Sequence, residues 1–216
     1  MKKIFMTSSC VALALTSFSA YAADIKPFIG VNASLSGVAY SDDVKTATDD
    51  LGVKLPESFF GVGAEAGLKI ETDRVYSAGF TFAYDYAVDS EADIDAIADD
   101  YVSSVELGFS AWSLTFDNYL RVSGAAKHRQ DIVLGVGFGN AKERFKMDAT
   151  YLGESYGLYD IDESDDGNVV VFKVGYIYNV GEHADLVLNG RFFVPTDSET
   201  DVDVLFNMSA GIRVVF

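Results

Sequence analysis

Read with a period of two, the chain falls into segments with apolar side chains on one face and small, polar or charged ones on the other. Such strands separate an apolar medium from a polar one. Ten segments show the pattern: 28–36, 59–70, 75–88, 102–113, 119–127, 132–138, 145–152, 169–178, 186–194 and 204–216. In the last, Phe206, Met208, Ala210, Ile212, Val214 and Phe216 oppose Leu205, Asn207, Ser209, Gly211, Arg213 and Val215. In 102–113 the apolar face is Val105, Leu107, Phe109 and Ala111, against Ser104, Glu106, Gly108 and Ser110. In 145–152, Phe145, Met147, Ala149 and Tyr151 oppose Lys146, Asp148 and Thr150. Phe116-Asp117-Asn118 and Gly139-Asn140 read as turns, because Asp, Asn and Gly favour them. No segment of useful length beyond residue 22 has a helical period.

The two faces differ in more than hydropathy. Pooled over the ten segments, the apolar face carries no charge, while the other holds Glu65, Lys69, Asp85, Glu106, Arg121, Lys127, Lys146, Asp148, Lys173, Arg191 and Arg213. Sixteen aromatics fall on the apolar face and five on the other: Phe28, Phe59, Trp112, Tyr119 and Phe193. A soluble barrel around an apolar ligand would need the opposite assignment, with charges outside and aromatics inside. A Lys or Arg turned to mid-bilayer lipid costs about 2–4 kcal/mol, so a charge-free, aromatic-rich outer face predicts an inside-out barrel: all-β, antiparallel, up-and-down and transmembrane. Short and long connections alternate along the chain, which requires an even strand number, with both termini on one side and the long acidic loops on the other. Ten strands satisfy this, with eight as the alternative.

Composition narrows the partners. A formal charge of −17 excludes a nucleic-acid binder, which needs a basic surface to displace counterions. Lys2 and Lys3, an apolar run through Ile4, Phe5, Met6 and Val11 to Leu15, then Ala20-Tyr21-Ala22 predict a secretory signal peptide over residues 1–22 and a barrel over 23–216. Its removal changes the net charge to −17 − 2 = −19 and discards Cys10, the only cysteine.

A signal peptide, alternating strands such as Gly61-Val62-Gly63-Ala64-Glu65-Ala66-Gly67, and the run from Phe206 to Phe216 resemble the small outer-membrane β-barrels of Gram-negative bacteria, the OmpA-like barrels. The resemblance implies integral residence in the outer membrane, contact with its lipid and lipopolysaccharide, and biogenesis through periplasmic chaperones and the barrel-assembly machinery. It also implies that Phe206, Ile212, Val214 and Phe216 belong to the assembly signal. Because the sequence runs no further than the barrel, the expectation is a member without the peptidoglycan-binding domain of the two-domain members.

Candidate chemistry is sparse. The eleven lumen charges comprise seven bases and four acids, 7 − 4 = +3, and predict a salt-bridged plug, since buried charges require partners; a small anion-favouring pore is the alternative. Asp162-Glu163-Ser164-Asp165-Asp166-Gly167 imitates the start of an EF-hand loop, but Lys173 stands where the bidentate Glu is needed. No cofactor is expected, and loose Ca²⁺ or Mg²⁺ binding by pooled loop carboxylates is the limit of the metal reading. An enzyme would have to use His128, at the outer rim with Asp131 and Ser123 nearby, or His183 at the opposite end. The expectation is therefore a non-enzymatic outer-membrane barrel with a structural or surface-interaction role, with a passive pore second and a rim-sited hydrolase third.

Overall fold

The computed structural model describes residues 24–71, 75–94, 102–123, 128–149, 161–196 and 202–216; the expected signal peptide lies outside them. In chain order the elements are β1 (Asp24–Tyr40), α1 (Asp42–Leu51), β2 (Val53–Lys54), β3 (Ser58–Glu71), β4 (Tyr76–Ala87), β5 (Ser90–Glu91), β6 (Asp93–Ile94), β7 (Val102–Ser123), β8 (Gln130–Ala149), β9 (Ile161–Asn179), β10 (Ala184–Pro195) and β11 (Val202–Val215). Eight of them pair in the order β4-β3-β1-β11-β10-β9-β8-β7, and β7 pairs back onto β4. Every ladder in this ring is antiparallel. Closure leaves no unpaired edge around the ring, the condition for a sheet to sit in lipid.

The barrel has eight strands where ten were favoured, because two long strands were each read as two. Phe116, Asp117 and Asn118 are mid-strand, paired with Phe80, Gly79 and Ala78 on one side and Val136, Gly135 and Leu134 on the other. Gly139 and Asn140 pair with Ser113 and Trp112, and with Val169 and Asn168. Gly139 serves close approach rather than a turn: a Cβ there would lie 2.1 Å from the Trp112 carbonyl oxygen.

Continuity resets the phase. Because β7 runs unbroken, Phe109, Ala111, Ser113, Thr115, Asp117 and Tyr119 are buried inside, and Trp112 and Leu120 are exposed outside. Phe109 and Ala111 thus face the lumen, against expectation. On β8 the phase of Ile132, Leu134, Val136 and Phe138 carries Lys142, Arg144 and Lys146 outward. The outer surface is a belt that includes Ile29, Val62, Phe82, Leu134, Phe172, Leu188 and Ile212, all exposed. Among the described residues no helix is long and apolar enough to cross a membrane; the strands do so, about ten residues being sufficient.

The connections at 72–75, 124–129 and 180–183 mark one end, the turn end, where Phe216 N donates to the Pro27 carbonyl at 2.9 Å. Those at 41–57, 88–101, 150–160 and 196–201 mark the loop end. β7, β8 and β9, with 22, 20 and 19 residues, overshoot the 12-residue β4 and β10 there as a three-stranded fin. The loop end also holds a helix that the periodicity missed. The α1 helix carries only a short apolar stripe, Val44, Ala47 and Leu51, at helical spacing; Ser41 caps it by accepting from Val44 N, and Gly52 ends it at φ 72°, both ordinary helix-boundary chemistry.

Candidate functional site

The interior is a stack of layers. At the turn end, Lys69 Nζ bonds Asp131 at 2.6 Å and Arg129 reaches both Glu71, at 2.6 Å, and Asp131, at 3.1 Å. Lys26 adds a bond to Glu71 at 3.0 Å. Arg213 Nε donates to Asp185 at 3.0 Å while its guanidinium lies 4.3 Å over the Phe28 ring. Above these sits a small apolar collar of Tyr119, Val133, Ile177 and Val187.

The middle layer joins β3, β4, β7, β9 and β10. Arg191 bonds Asp85 at 2.5 Å and Glu65 at 3.3 Å, and Asn189 also donates to Glu65. Lys173 meets Asp117 at 2.7 Å, and Thr81 donates to the same carboxylate oxygen at 2.6 Å. Glycine makes room for these groups: a Cβ on Gly135 would stand 2.3 Å from Asp117 Oδ1. Toward the loop end the lining turns apolar. Phe59, Ala87, Phe109, Ala111, Val169, Val171, Phe193 and Leu205 form one buried cluster, with Phe59 and Phe109 edge-to-face at 5.4 Å.

Of the eleven expected lumen charges, Glu65, Lys69, Asp85, Lys173, Arg191 and Arg213 lie buried inside. Arg121 stands at the turn-end rim, 3.9 Å from Asp131. Glu106 and Lys146 are outside the barrel, 3.8 Å apart on the fin, because the continuous strands reverse their phase. Lys127 and the Asp148 side chain fall outside the described residues. Three buried acids escaped the sequence reading: Asp117, Asp131 and Asp185. Asp117 was taken for a turn, and the other two lie one step before segments whose phase would have placed them inside. The buried set is then four bases and five acids, 4 − 5 = −1, so the positive excess that motivated an anion-favouring pore is absent from the buried lumen among the described residues.

Ile212 and Val214 on β11, and Phe216 just after it, are exposed, and Phe206 packs on Phe192 with ring centroids 4.6 Å apart. His128 lies at the turn end, not the outer rim, since eight strands move the 124–129 connection to that end. Its ring stacks on Tyr178, and His183 Nδ1 lies 3.1 Å from the Val215 carbonyl oxygen at the same end. Asp131, the presumed partner of His128, turns inward to Lys69 and Arg129. Among the described residues no group of three or more His, Cys, Asp or Glu could hold a metal. The side chains of residues 161–165, most of the EF-hand-like stretch, are not among those described.

A closed antiparallel ring, a charge-free apolar belt outside and ion pairs within define a small transmembrane β-barrel of the outer-membrane class. The solved structures agree on the fold. The chain is similar to Ail, the attachment invasion locus protein of Yersinia pestis, at 15% identity and a TM-score of 0.55, covering 88% of this chain and 98% of that one. It is as similar to Ail in complex with the heparin analogue sucrose octasulfate, at 14% identity and 0.55, over 89% and 99%. It is also similar to the outer membrane protein OprG from Pseudomonas aeruginosa, at 12% identity and 0.54, over 88% and 95%. No family model and no curated protein sequence matches the chain. The belt and this fold together place the protein in the outer membrane.

Proposed function

We propose that the protein is a closed, non-enzymatic outer-membrane barrel that displays an acidic surface to partners outside the cell. The apolar plug of Phe59, Phe109, Val171 and Phe193 carries the reading: with ion pairs beneath it, the lumen serves as a rigid support rather than a path. The display surface is the loop end. Its four connections hold sixteen acids and two lysines, 2 − 16 = −14, most of the chain's −17, and the fin raises β7–β9 beyond the belt. Short turns at one end and long exposed loops at the other orient the loop end outward.

The charge also selects the partner. Ail has been crystallised with a heparin analogue, a polyanion; this loop end would repel one and suits a basic partner instead.

Conductance in planar bilayers tests the plugged reading. The wild-type barrel is expected to give no steady openings, and Phe59→Ala with Phe109→Ala is expected to introduce them. Reproducible wild-type openings would support the passive-pore alternative. Hydrolysis of lipid A or of a peptide panel by the purified barrel would contradict the non-enzymatic reading.

A further inference from the structure

The middle layer of the lumen is one positive charge short. Among the described residues, Glu65, Asp85 and Asp117 face Lys173 and Arg191, 2 − 3 = −1. Lys173 is taken by Asp117 at 2.7 Å, so Arg191 alone serves both Asp85 and Glu65. The collar of Tyr119, Val133, Ile177 and Val187 lies beneath this layer, and the apolar cluster around Phe59 and Phe109 lies above it. These two belts of side chains separate the layer from the ion pairs of the turn end and from the acids of the loop end. An uncompensated charge in such a place is strongly unfavourable.

The deficit has a location. Asn32, Gly63 and Asp85 are consecutive partners across β1, β3 and β4. With no side chain on Gly63, its neighbours lean over it from both sides: a Cβ there would stand 2.6 Å from Asp85 Oδ1, 2.7 Å from Asn32 Oδ1 and 3.0 Å from the Tyr84 carbonyl oxygen. Both side-chain oxygens are shut off from solvent, and neither accepts a hydrogen bond from a described residue. Asp85 is 2% exposed, and its other oxygen is the one held by Arg191. Buried acceptors are ordinarily satisfied, so two of them converging over one glycine mark a place for an electropositive partner.

Charge selects that partner. A water molecule supplies donors but leaves the layer at −1. Turning the Asn32 amide over also gives Asp85 a donor and leaves the same deficit. A divalent ion would overcorrect the charge, and calcium takes about six to eight oxygens. An alkali-metal ion carries the single charge required and accepts amide and backbone carbonyl oxygens as ligands.

We propose that an alkali-metal cation is bound in the lumen between Asp85 Oδ1 and Asn32 Oδ1, over the bare Cα of Gly63. Bound there, it completes the charge of the middle layer and ties β1 to β4 across β3. The site belongs to the barrel interior, so it goes beyond the display of the loop end and stands or fails separately from it.

Thermal unfolding of the purified barrel in phosphatidylcholine vesicles tests it, with sodium chloride exchanged for tetramethylammonium chloride at constant ionic strength and pH. Tetramethylammonium screens the acidic loops equally and is too large to sit between the two oxygens. The wild-type midpoint is expected to rise with sodium concentration, as binding to the folded form alone requires. Asp85→Asn is expected to abolish the rise. Asn32→Leu is expected to move its onset to about tenfold higher sodium, the lower end of what altering a metal site costs in affinity. Both variants keep every loop acid, so a rise caused by the loops would persist in them. Glu106→Gln, on the outer face, should behave as wild type. If Asp85→Asn does not fold, Asn32→Leu carries the test. Equal wild-type midpoints in the two salts, or an unshifted rise in either folded variant, overturn the proposal. A midpoint indifferent to sodium but raised by acid would assign the missing charge to a proton and overturn the ion.

Discussion

Arg191 on β10 and Asp85 on β4 face each other across the lumen at 2.5 Å, 106 residues apart in sequence. Their strands are not neighbours in the ring, so the pair ties opposite walls together. Glu65 on β3 shares the same guanidinium. Arg191→Met would leave two buried carboxylates without their cation, and loss of one partner from a buried pair costs about 3–5 kcal/mol. Urea unfolding of the barrel in lipid should show a loss of that size. A combined Asp85→Asn and Arg191→Met variant should lose less than the two single losses added together.

Lys173 and Lys146 make a paired comparison. Lys173 is buried against Asp117 at 2.7 Å, whereas Lys146 and Glu106 are nearly half exposed at 3.8 Å. Lys173→Met should destabilise by several kcal/mol. Lys146→Met should change stability by less than about 1 kcal/mol, and that small effect should shrink further with added salt. Equal losses would contradict the inside and outside positions assigned to these two residues.

Continuity of β7 can be read directly with spin labels. A label at Phe116 should be reached by oxygen dissolved in lipid and shielded from a water-soluble relaxing agent. A turn at residues 116–118, as ten strands require, would give the reverse. Labels at Trp112 and Leu120 share the outward phase and should behave like Phe116.

Glycine substitutions should separate by neighbour rather than by strand. At Gly139 a Cβ meets the Trp112 carbonyl oxygen at 2.1 Å, while at Gly190 the nearest atom is the Val174 side chain at 3.4 Å. Gly139→Ala forces two hydrogen-bonded strands apart, and overpacking of that kind costs about 1–3 kcal/mol. Gly190→Ala should fold with wild-type yield. Refolding yield by heat-modifiable mobility is the measurement, and equal yields would remove the close-approach role of Gly139.

Much of this protein was legible before folding. The period-two pattern of β1, β3, β4, β9, β10 and β11 needed no partner strand to reveal its phase, because lipid rejects charge from the same face everywhere along the belt. That single rule placed Glu65, Lys69, Asp85, Lys173, Arg191 and Arg213 inside. It weakened where β7 and β8 leave the belt. Beyond the lipid both faces of a strand tolerate polar groups, and Phe109 inside and Lys146 outside give no local clue to their direction.

The sequence by itself determined the membrane-barrel class, the even strand number and the acidic end, since each follows from residue type and spacing alone. Tertiary structure decided the rest. Asp117 became a lumen ion rather than a turn only because Thr81 and Lys173, 36 and 56 residues away, converge on its carboxylate. Gly139 became a contact point only because Trp112 passes beside it. The apolar cluster likewise exists only once the ring closes, when Phe59, Phe109, Val171 and Phe193 from four strands meet. Pairing across the barrel is a property of distance in space, and alternation along one strand does not encode it.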